Sequence, residues 1–263
     1  MIDDDKNGSV NEIFGIPFFS GTKLQLLSVV EELIESQRKK PIIIFTPNPE
    51  QVRLALHNKQ FYHCLLQSTY NLPDGSGIVW ALKKREKKRG RVGEKRNEKI
   101  SFSRIPGREV FHELLSVAKE KKYRVFLIGG KQGSVDQVVE KWRMQGTWLS
   151  DPGAEDIRHE QTSERERVLS KLQLYRPHMV FVAYGAPWQE QWIIQNGEAL
   201  ERSGVKLAMV VGGSFEYEAG IARSVPHWIE RFHLEWMYRL IQEPWRWKRQ
   251  LVGLEFFLHV FCS

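Results

Sequence analysis

A carboxylate among small residues, Pro73-Asp74-Gly75-Ser76-Gly77, stands just before an apolar helical run that starts near Ile78. Asp74 there reads in two ways. It is the kind of residue that caps a helix N-terminus, and it is equally a carboxylate at a cleft rim, placed to take a proton from a substrate hydroxyl. Gln189-Glu190 offers an amide and a second carboxylate directly after Gly185-Ala186-Pro187, although Glu190 also suits the positive end of a helix dipole. Three further loops, Thr46-Pro47-Asn48-Pro49, Gly129-Gly130 and Gly212-Gly213-Ser214, are small, polar or turn-forming. Together such loops let backbone N–H groups and helix N-termini floor a cleft suited to phosphate or diphosphate. A glycine at a β-to-α turn can also answer to backbone geometry alone. Asp3-Asp4-Asp5 contains an Asp-x-Asp spacing that chelates metal in some enzymes, but in a polar N-terminal stretch it reads as solvated charge, and no metal site is expected.

These loops need elements to hold them, and the hydrophobic pattern supplies those elements. Ile42–Thr46, Arg124–Ile128, Met179–Ala183 and Leu207–Val211 are short runs apolar on both faces, the mark of strands buried in a parallel sheet. Amphipathic helices are expected over Leu24–Gln37, Pro49–Leu56, Arg108–Lys122, Val135–Arg143, Glu164–Tyr175 and Trp188–Gln195. The alternation predicts an α/β fold, a Rossmann-like, mostly parallel sheet with helices on both faces. In such sheets ligands bind beyond the carboxyl ends of the strands, where the loops above fall. A catalytic domain is expected over residues 1–222, followed by a helical appendage over residues 223–263, where Trp228, Trp236, Arg239, Trp245, Arg246, Trp247 and Arg249 interleave. The appendage reads either as an amphipathic helix pair packed on the domain or as a lid that binds anions or touches membrane.

A length of 263 residues with 41% hydrophobic side chains is enough for a large core and excludes wholesale disorder. The formal charge of +7 is concentrated rather than spread. Lys83 to Lys99 holds ten Lys or Arg against three Glu, which is the entire excess, so the rest of the chain is neutral and a general nucleic-acid binder is not indicated. Two cysteines, Cys64 and Cys262, form no disulfide framework, which fits a reducing, cytoplasmic setting. The apolar stretch from Leu251 to Phe261 is about half the roughly 20 residues a spanning helix needs. It suits contact with a membrane surface rather than passage through it.

The segments TPNPEQ, PDGSGIVWA, RIPGREVF, VFLIGGKQG, AYGAPWQEQWI, VGGSFEYEAG, PHW and LEWMYRLIQEPWRWKR resemble, in order and spacing, the WecG/TagA/CpsF family, glycosyltransferase family 26, over roughly residues 13 to 250. The resemblance implies an inverting, metal-independent bacterial hexosyltransferase without a cofactor. Its donor would be a UDP-sugar of N-acetylmannosamine type and its acceptor a polyprenyl-diphosphate-linked N-acetylglucosamine, in cell-surface polysaccharide or teichoic acid synthesis. It further implies Asp74 as general base, Thr46, Asn48, Arg104 and Gln189 lining the pocket, and Arg239, Arg246 and Arg249 closing over the uridine diphosphate. With Gly75, Gly77, Gly129, Gly130, Gly185, Glu190, Gly212 and Gly213 from the loops, these make up the expected site. Peripheral attachment to the inner face of the cell membrane follows from the lipid-linked acceptor, and oligomeric state is left open.

The chain departs from the family pattern in four places. Glu216 stands where Asp is usual, Trp188 where Lys precedes Gln-Glu, and Ser224 where Arg is usual, with Arg223 one position earlier. The basic stretch 83–99 is an insertion, read either as a solvated loop or as a contact for anionic lipid headgroups, worth about 1 kcal/mol per cation. The alternatives are a different UDP-hexose donor on the same fold, or a non-catalytic nucleotide- or nucleic-acid-binding protein. An NAD-type oxidoreductase is disfavoured, because the strand at Ile42–Thr46 leads into Thr-Pro-Asn-Pro rather than Gly-x-Gly-x-x-Gly.

Overall fold

The computed structural model describes residues 12–91, 102–131, 133–221 and 255–261. A short antiparallel hairpin, β1 (Glu12–Ile13) and β2 (Ile16–Pro17), turns through Phe14 and Gly15, both at positive φ. Six parallel strands follow along the chain: β3 (Ile42–Phe45), β4 (Tyr70–Asn71), β5 (Val125–Gly129), β6 (Trp148–Asp151), β7 (Met179–Ala183) and β8 (Leu207–Val210). They lie side by side in the order β4-β3-β8-β7-β5-β6. Because every crossover returns to the same end, all six carboxyl ends open on one edge.

Helices cover both faces. On one side lie α1 (Lys23–Glu35), α5 (Gly107–Glu120), α6 (Ser134–Lys141) and α10 (Ser214–Glu218), whose buried side chains meet Ile42, Ile44, Leu127, Phe181 and Met209. On the other lie α2 (Pro49–His57), α3 (Lys59–Leu66), α4 (Ser76–Arg91), α7 (Thr162–Tyr175), α8 (Trp188–Gln195) and α9 (Gly197–Arg202), packed on Phe45, Phe126, Ile128, Val180 and Val210. The period-two alternation of these strand residues between the two faces explains why the strands read as unbroken apolar runs. Each such side chain, once fully buried, contributes about 1.5–3 kcal/mol.

The α/β reading and the four long strands are borne out, with ends moved by at most one residue. Two central-sheet strands and the hairpin were not expected. β4 and the hairpin strands are two residues each, too short to show a period, and β6 (Trp-Leu-Ser-Asp) carries two polar residues. The basic stretch is helical in its first part, since α4 runs unbroken from Ser76 to Arg91. Lys, Arg and Glu are good helix formers and extend the apolar turn that begins the helix. Of the C-terminal appendage, residues 255–261 are described and helical. Phe256 and Val260, one turn apart, are buried in the main core beside Phe14, while Glu255 pairs with Arg53 on α2 at 2.7 Å. The boundary expected after residue 222 lies outside the described residues.

Candidate active site

The loops at the carboxyl edge follow the strand order. The Asp74 turn comes first, then Thr46-Pro47-Asn48, then Gly212-Gly213, Gly185-Ala186-Pro187 and Gly129-Gly130. With about 4.8 Å between neighbouring strands, the Asp74 turn and the Gly185 loop stand roughly 14 Å apart at their roots.

One corner of this edge gathers six of the expected residues: Thr46, Asn48, Asp74, Gly75, Gly77 and Arg104. Asn48 caps α2: its Oδ1 accepts the Gln51 N–H and the Gln51 side chain accepts the Asn48 N–H, each at 2.9 Å. Pro49, the first helical residue, packs over the Asp74 turn. A methyl group on Gly77 would lie 2.8 Å from Pro49 Cγ, and Gly75, at φ +121°, is next to the same ring. The Leu72 N–H donates to Phe45 O and the Asp74 N–H to Leu72 O, both at 2.8 Å, which ties the turn to the end of β3. The Ile105 N–H donates to Pro73 O at 3.2 Å and brings the neighbouring Arg104 to this corner. Gly107, which opens α5, sits on Thr46 so closely that a Cβ there would be 2.6 Å from Thr46 Cγ2. Thr46, Asn48, Asp74 and Arg104 are all half-buried, as befits groups at the rim of a cleft.

The centre of the edge is built differently from the sequence expectation. Gln189 Oε1 accepts the N–H of Gly185 and the N–H of Gly212, each at 3.2 Å, so one buried amide clips together the loops after β7 and β8. The Gly130 N–H donates to Ala183 O at 3.0 Å and the Lys131 N–H to Glu216 Oε1 at 2.9 Å. These amides are engaged within the protein, and the glycines are needed for close packing. A Cβ on Gly130 would meet Ser134 Oγ at 2.7 Å and Phe215 Cδ2 at 2.8 Å, and one on Gly129 would meet Ala183 O at 3.0 Å. Gly213 adjoins Glu216, whose Oε2 would lie 3.5 Å from a Cβ at that glycine. Glu216, with its extra methylene, thus reaches across to the β5 loop.

Glu190 does not face the edge. Its side chain is buried, 1% exposed, and Oε1 accepts the Gln189 Nε2–H at 3.1 Å while Oε2 makes no hydrogen bond among the described residues. Burial pushes its carboxyl up to about 7, against the smaller opposing effect of the Gln189 hydrogen bond. Burial, with the charge of Glu190 added, raises the Cys64 thiol to about 11, which makes it a poor nucleophile. Trp188, the first residue of α8, is 37% exposed at the edge.

The sequence reading missed a polar cluster at the end of β6. Asp151, fully buried, accepts two hydrogen bonds from Arg167, one from Lys171 at 2.7 Å and one from the Gly153 N–H at 2.8 Å. Burial alone would raise its carboxyl, but the hydrogen bonds from Arg167 and Lys171 outweigh that and hold it below the usual carboxylate range. The i, i+4 spacing of Arg167 and Lys171 on α7 was the available signal, two cations on one helix face. Arg239, Arg246 and Arg249 lie outside the described residues. Among those residues, no three His, Cys, Asp or Glu side chains converge as metal ligands, and no helix is long and apolar enough to cross a membrane.

A family model described as the glycosyl transferase WecG/TagA/CpsF family matches residues 11–263. The chain is 34% identical over 239 residues to an N-acetylglucosaminyldiphosphoundecaprenol N-acetyl-beta-D-mannosaminyltransferase of Bacillus subtilis (strain 168), covering 91% of this chain and 86% of the relative. It is 28% identical over 251 residues to the protein of the same description from Staphylococcus aureus (strain MRSA252), covering 94% of this chain and 89% of the relative.

Proposed function

The chain belongs to the WecG/TagA/CpsF family of glycosyl transferases, and we propose that it moves an N-acetylmannosamine-type sugar from a UDP donor to N-acetylglucosamine carried on a polyprenyl diphosphate. The relatives' names support both the sugar and the lipid-linked acceptor. The observation that carries the reading onto this chain is the corner where the Asp74 turn meets Thr46, Asn48 and Arg104. In the inverting displacement, the acceptor hydroxyl oxygen forms the new bond to the anomeric carbon as the bond to the UDP oxygen breaks on the opposite face. Asp74 takes the hydroxyl proton, and the electron pair leaves with UDP as additional negative charge. Guanidinium groups meet that charge, because Arg stays protonated and bonds phosphate in a bidentate fashion. We assign this role to Arg104, beside the Asp74 turn, and the resemblance assigns it to Arg239, Arg246 and Arg249. Gln189 and the glycine loops it clips form the middle of the floor.

The assay is release of UDP from UDP-N-acetylmannosamine in the presence of a short-chain lipid-diphosphate N-acetylglucosamine. Asp74→Asn lowers kcat at least 100-fold with the donor KM changed by less than threefold. Turnover near the wild-type level in that variant refutes the base assignment.

The lipid-linked acceptor fits a peripheral enzyme at an anionic membrane surface, and one face of the protein supports that placement. Trp80 on α4 and Phe257, Leu258 and Phe261 of the C-terminal helical segment are exposed together, with the Trp80 and Phe257 rings 5.3 Å apart. The exposed Lys83, Lys87 and Lys88 continue along α4 from this apolar patch, and the half-buried Lys84 fastens the two parts, its Nζ 3.9 Å from the Phe261 ring centroid. An apolar patch beside a polybasic one provides the two signals that stable surface anchoring requires. The triple variant Lys83→Glu, Lys87→Glu, Lys88→Glu is expected to lose co-sedimentation with phosphatidylglycerol vesicles. Undiminished binding of the variant overturns the placement.

A further inference from the structure

The buried pair Gln189–Glu190 does something for the site that neither residue does alone. The two ends of a glutamine amide are nearly identical in shape, so neighbours decide which end points where. Here the oxygen end takes two backbone donors, the N–H groups of Gly185 and Gly212. The nitrogen end donates to Glu190 Oε1 at 3.1 Å. The two backbone donors set the orientation in which Gln189 clips the two loops, and Glu190 Oε1, free to accept whether or not the other carboxyl oxygen carries a proton, secures the NH2 end in that orientation. In the opposite orientation an NH2 group would face two backbone N–H donors in a water-excluded space.

The clip acts at the centre of the edge. β7 and β8 are neighbours, with Val182 opposite Val210, and β8 also pairs with β3, Met209 opposite Ile44. The Gly212 loop therefore stands between the Gly185 loop and the Thr46 loop. Gly185 and Gly212 sit at φ +75° and +50°, a region that favours glycine, so each loop turns at the residue whose N–H the Gln189 amide holds. We propose that Glu190 is a positioning residue for sugar transfer: by securing the Gln189 amide it holds the loops after β7 and β8 in the arrangement that receives the UDP part of the donor. This rests on the transferase reading above. Glu190 is too deeply buried to touch the donor, so its effect must pass through Gln189.

Four variants test the inference. Glu190→Met keeps the length of the side chain but offers no acceptor of comparable strength. It is expected to raise the donor KM at least tenfold, with the acceptor KM within twofold of wild type. Glu190→Gln retains an oxygen acceptor and is expected to restore the donor KM to within threefold. Gln189→Glu, assayed well above the Glu190 value of about 7, puts two carboxylates against each other and is expected to weaken donor binding at least tenfold. In the double variant Gln189→Glu, Glu190→Gln the hydrogen bond is reversed, with the new amide at 190 donating to the carboxylate at 189, and donor binding returns.

Should Glu190→Met fail to fold, the comparison of Gln189→Glu with the double variant decides alone. A Met variant indistinguishable from wild type, or a double variant no better than Gln189→Glu, overturns the positioning role. UDP affinity by calorimetry separates this from the transferase reading. A tenfold weaker UDP affinity in Glu190→Met, alongside a wild type that transfers no sugar, keeps the positioning role and refutes the transfer. Transfer by the wild type with an unchanged donor KM in every variant does the reverse.

Discussion

Glu190 makes the stability of the whole domain depend on pH in a direction opposite to that of most carboxylates. Its carboxyl is moved from 4.5 to about 7 by burial. Between those values the folded chain holds a proton at Glu190 that the unfolded chain has released, so stability falls as pH rises through that window. The displacement of about 2.5 units, at roughly 1.4 kcal/mol each, amounts to about 3 kcal/mol, fully lost once pH exceeds the folded value. Glu190→Gln keeps the size of the side chain and an acceptor for Gln189, and removes the ionisation. The assay is urea unfolding followed by tryptophan fluorescence at pH 5, 6, 7 and 8, read as the variant minus the wild type, so that other titrating groups cancel. Cys64, raised to about 11, titrates outside the window. The variant should gain about 2–3 kcal/mol on the wild type between pH 5 and pH 8, most of it between 5 and 7. For a domain of this size that corresponds to a relative Tm shift of about 4–12 °C. A difference that stays flat within about 0.5 kcal/mol, or that falls with pH, refutes the assignment of a desolvated carboxyl at this position.

Asp151 carries the opposite sign. Its depressed carboxyl stabilises the fold fully above pH 3.8 and loses that contribution as pH falls through the still lower folded value. Asp151→Asn strips Arg167 and Lys171 of their counter-charge. The loss is set at about 2–3 kcal/mol, below the roughly 3–5 of a fully buried pair because both cations are two-fifths exposed, and chemical denaturation at pH 7 and pH 3 should show the gap closing in acid. Gly77→Ala forces a methyl group against Pro49 and against Phe257, 2.9 Å from its Cζ, and so disturbs the Asp74 turn. It should cost about 1–3 kcal/mol by thermal unfolding and lower sugar transfer at least tenfold.

The parts of the fold legible beforehand are those in which a single physical signal dominates. Met179–Ala183 shows as a strand because it is buried on both faces, and its observed limits are those expected. β4 pairs only two residues, Tyr70 and Asn71, with β3, and Asn71 is buried because its Nδ2 donates to Pro17 O and Leu65 O, a reason no local pattern expresses. The edge loops could be located from strand ends and turn residues, and Asp74, Thr46, Asn48 and Arg104 do meet. Which way the first turn of α8 faces was not readable. Gln189 and Glu190 are adjacent polar residues that look ready for solvent, and only the packing of α8 on α3 and the sheet turns both inward. The glycines were legible as turn formers, but the amides of Gly130, Gly185 and Gly212 serve the protein's own carbonyl and side-chain amide oxygens.

The strand order also sets a timetable for synthesis. Among the described residues, β8 is the last strand of the sheet to be translated, yet it lies in the middle, with β3 on one side and β7 on the other. Until residues 207–210 leave the ribosome, the β3–β4 pair and the β7–β5–β6 group are two separate sheets, each with an open edge awaiting the same partner. The corner that holds Asp74 and the clip that holds Gly185 therefore belong to different halves of a nascent chain. They become one cleft only when β8 inserts, a late, long-range step of the kind that makes folding slow and leaves unpaired edges exposed meanwhile. Chains released before residue 207 would carry most of the residues assigned to the site and yet lack the strand that joins them into one.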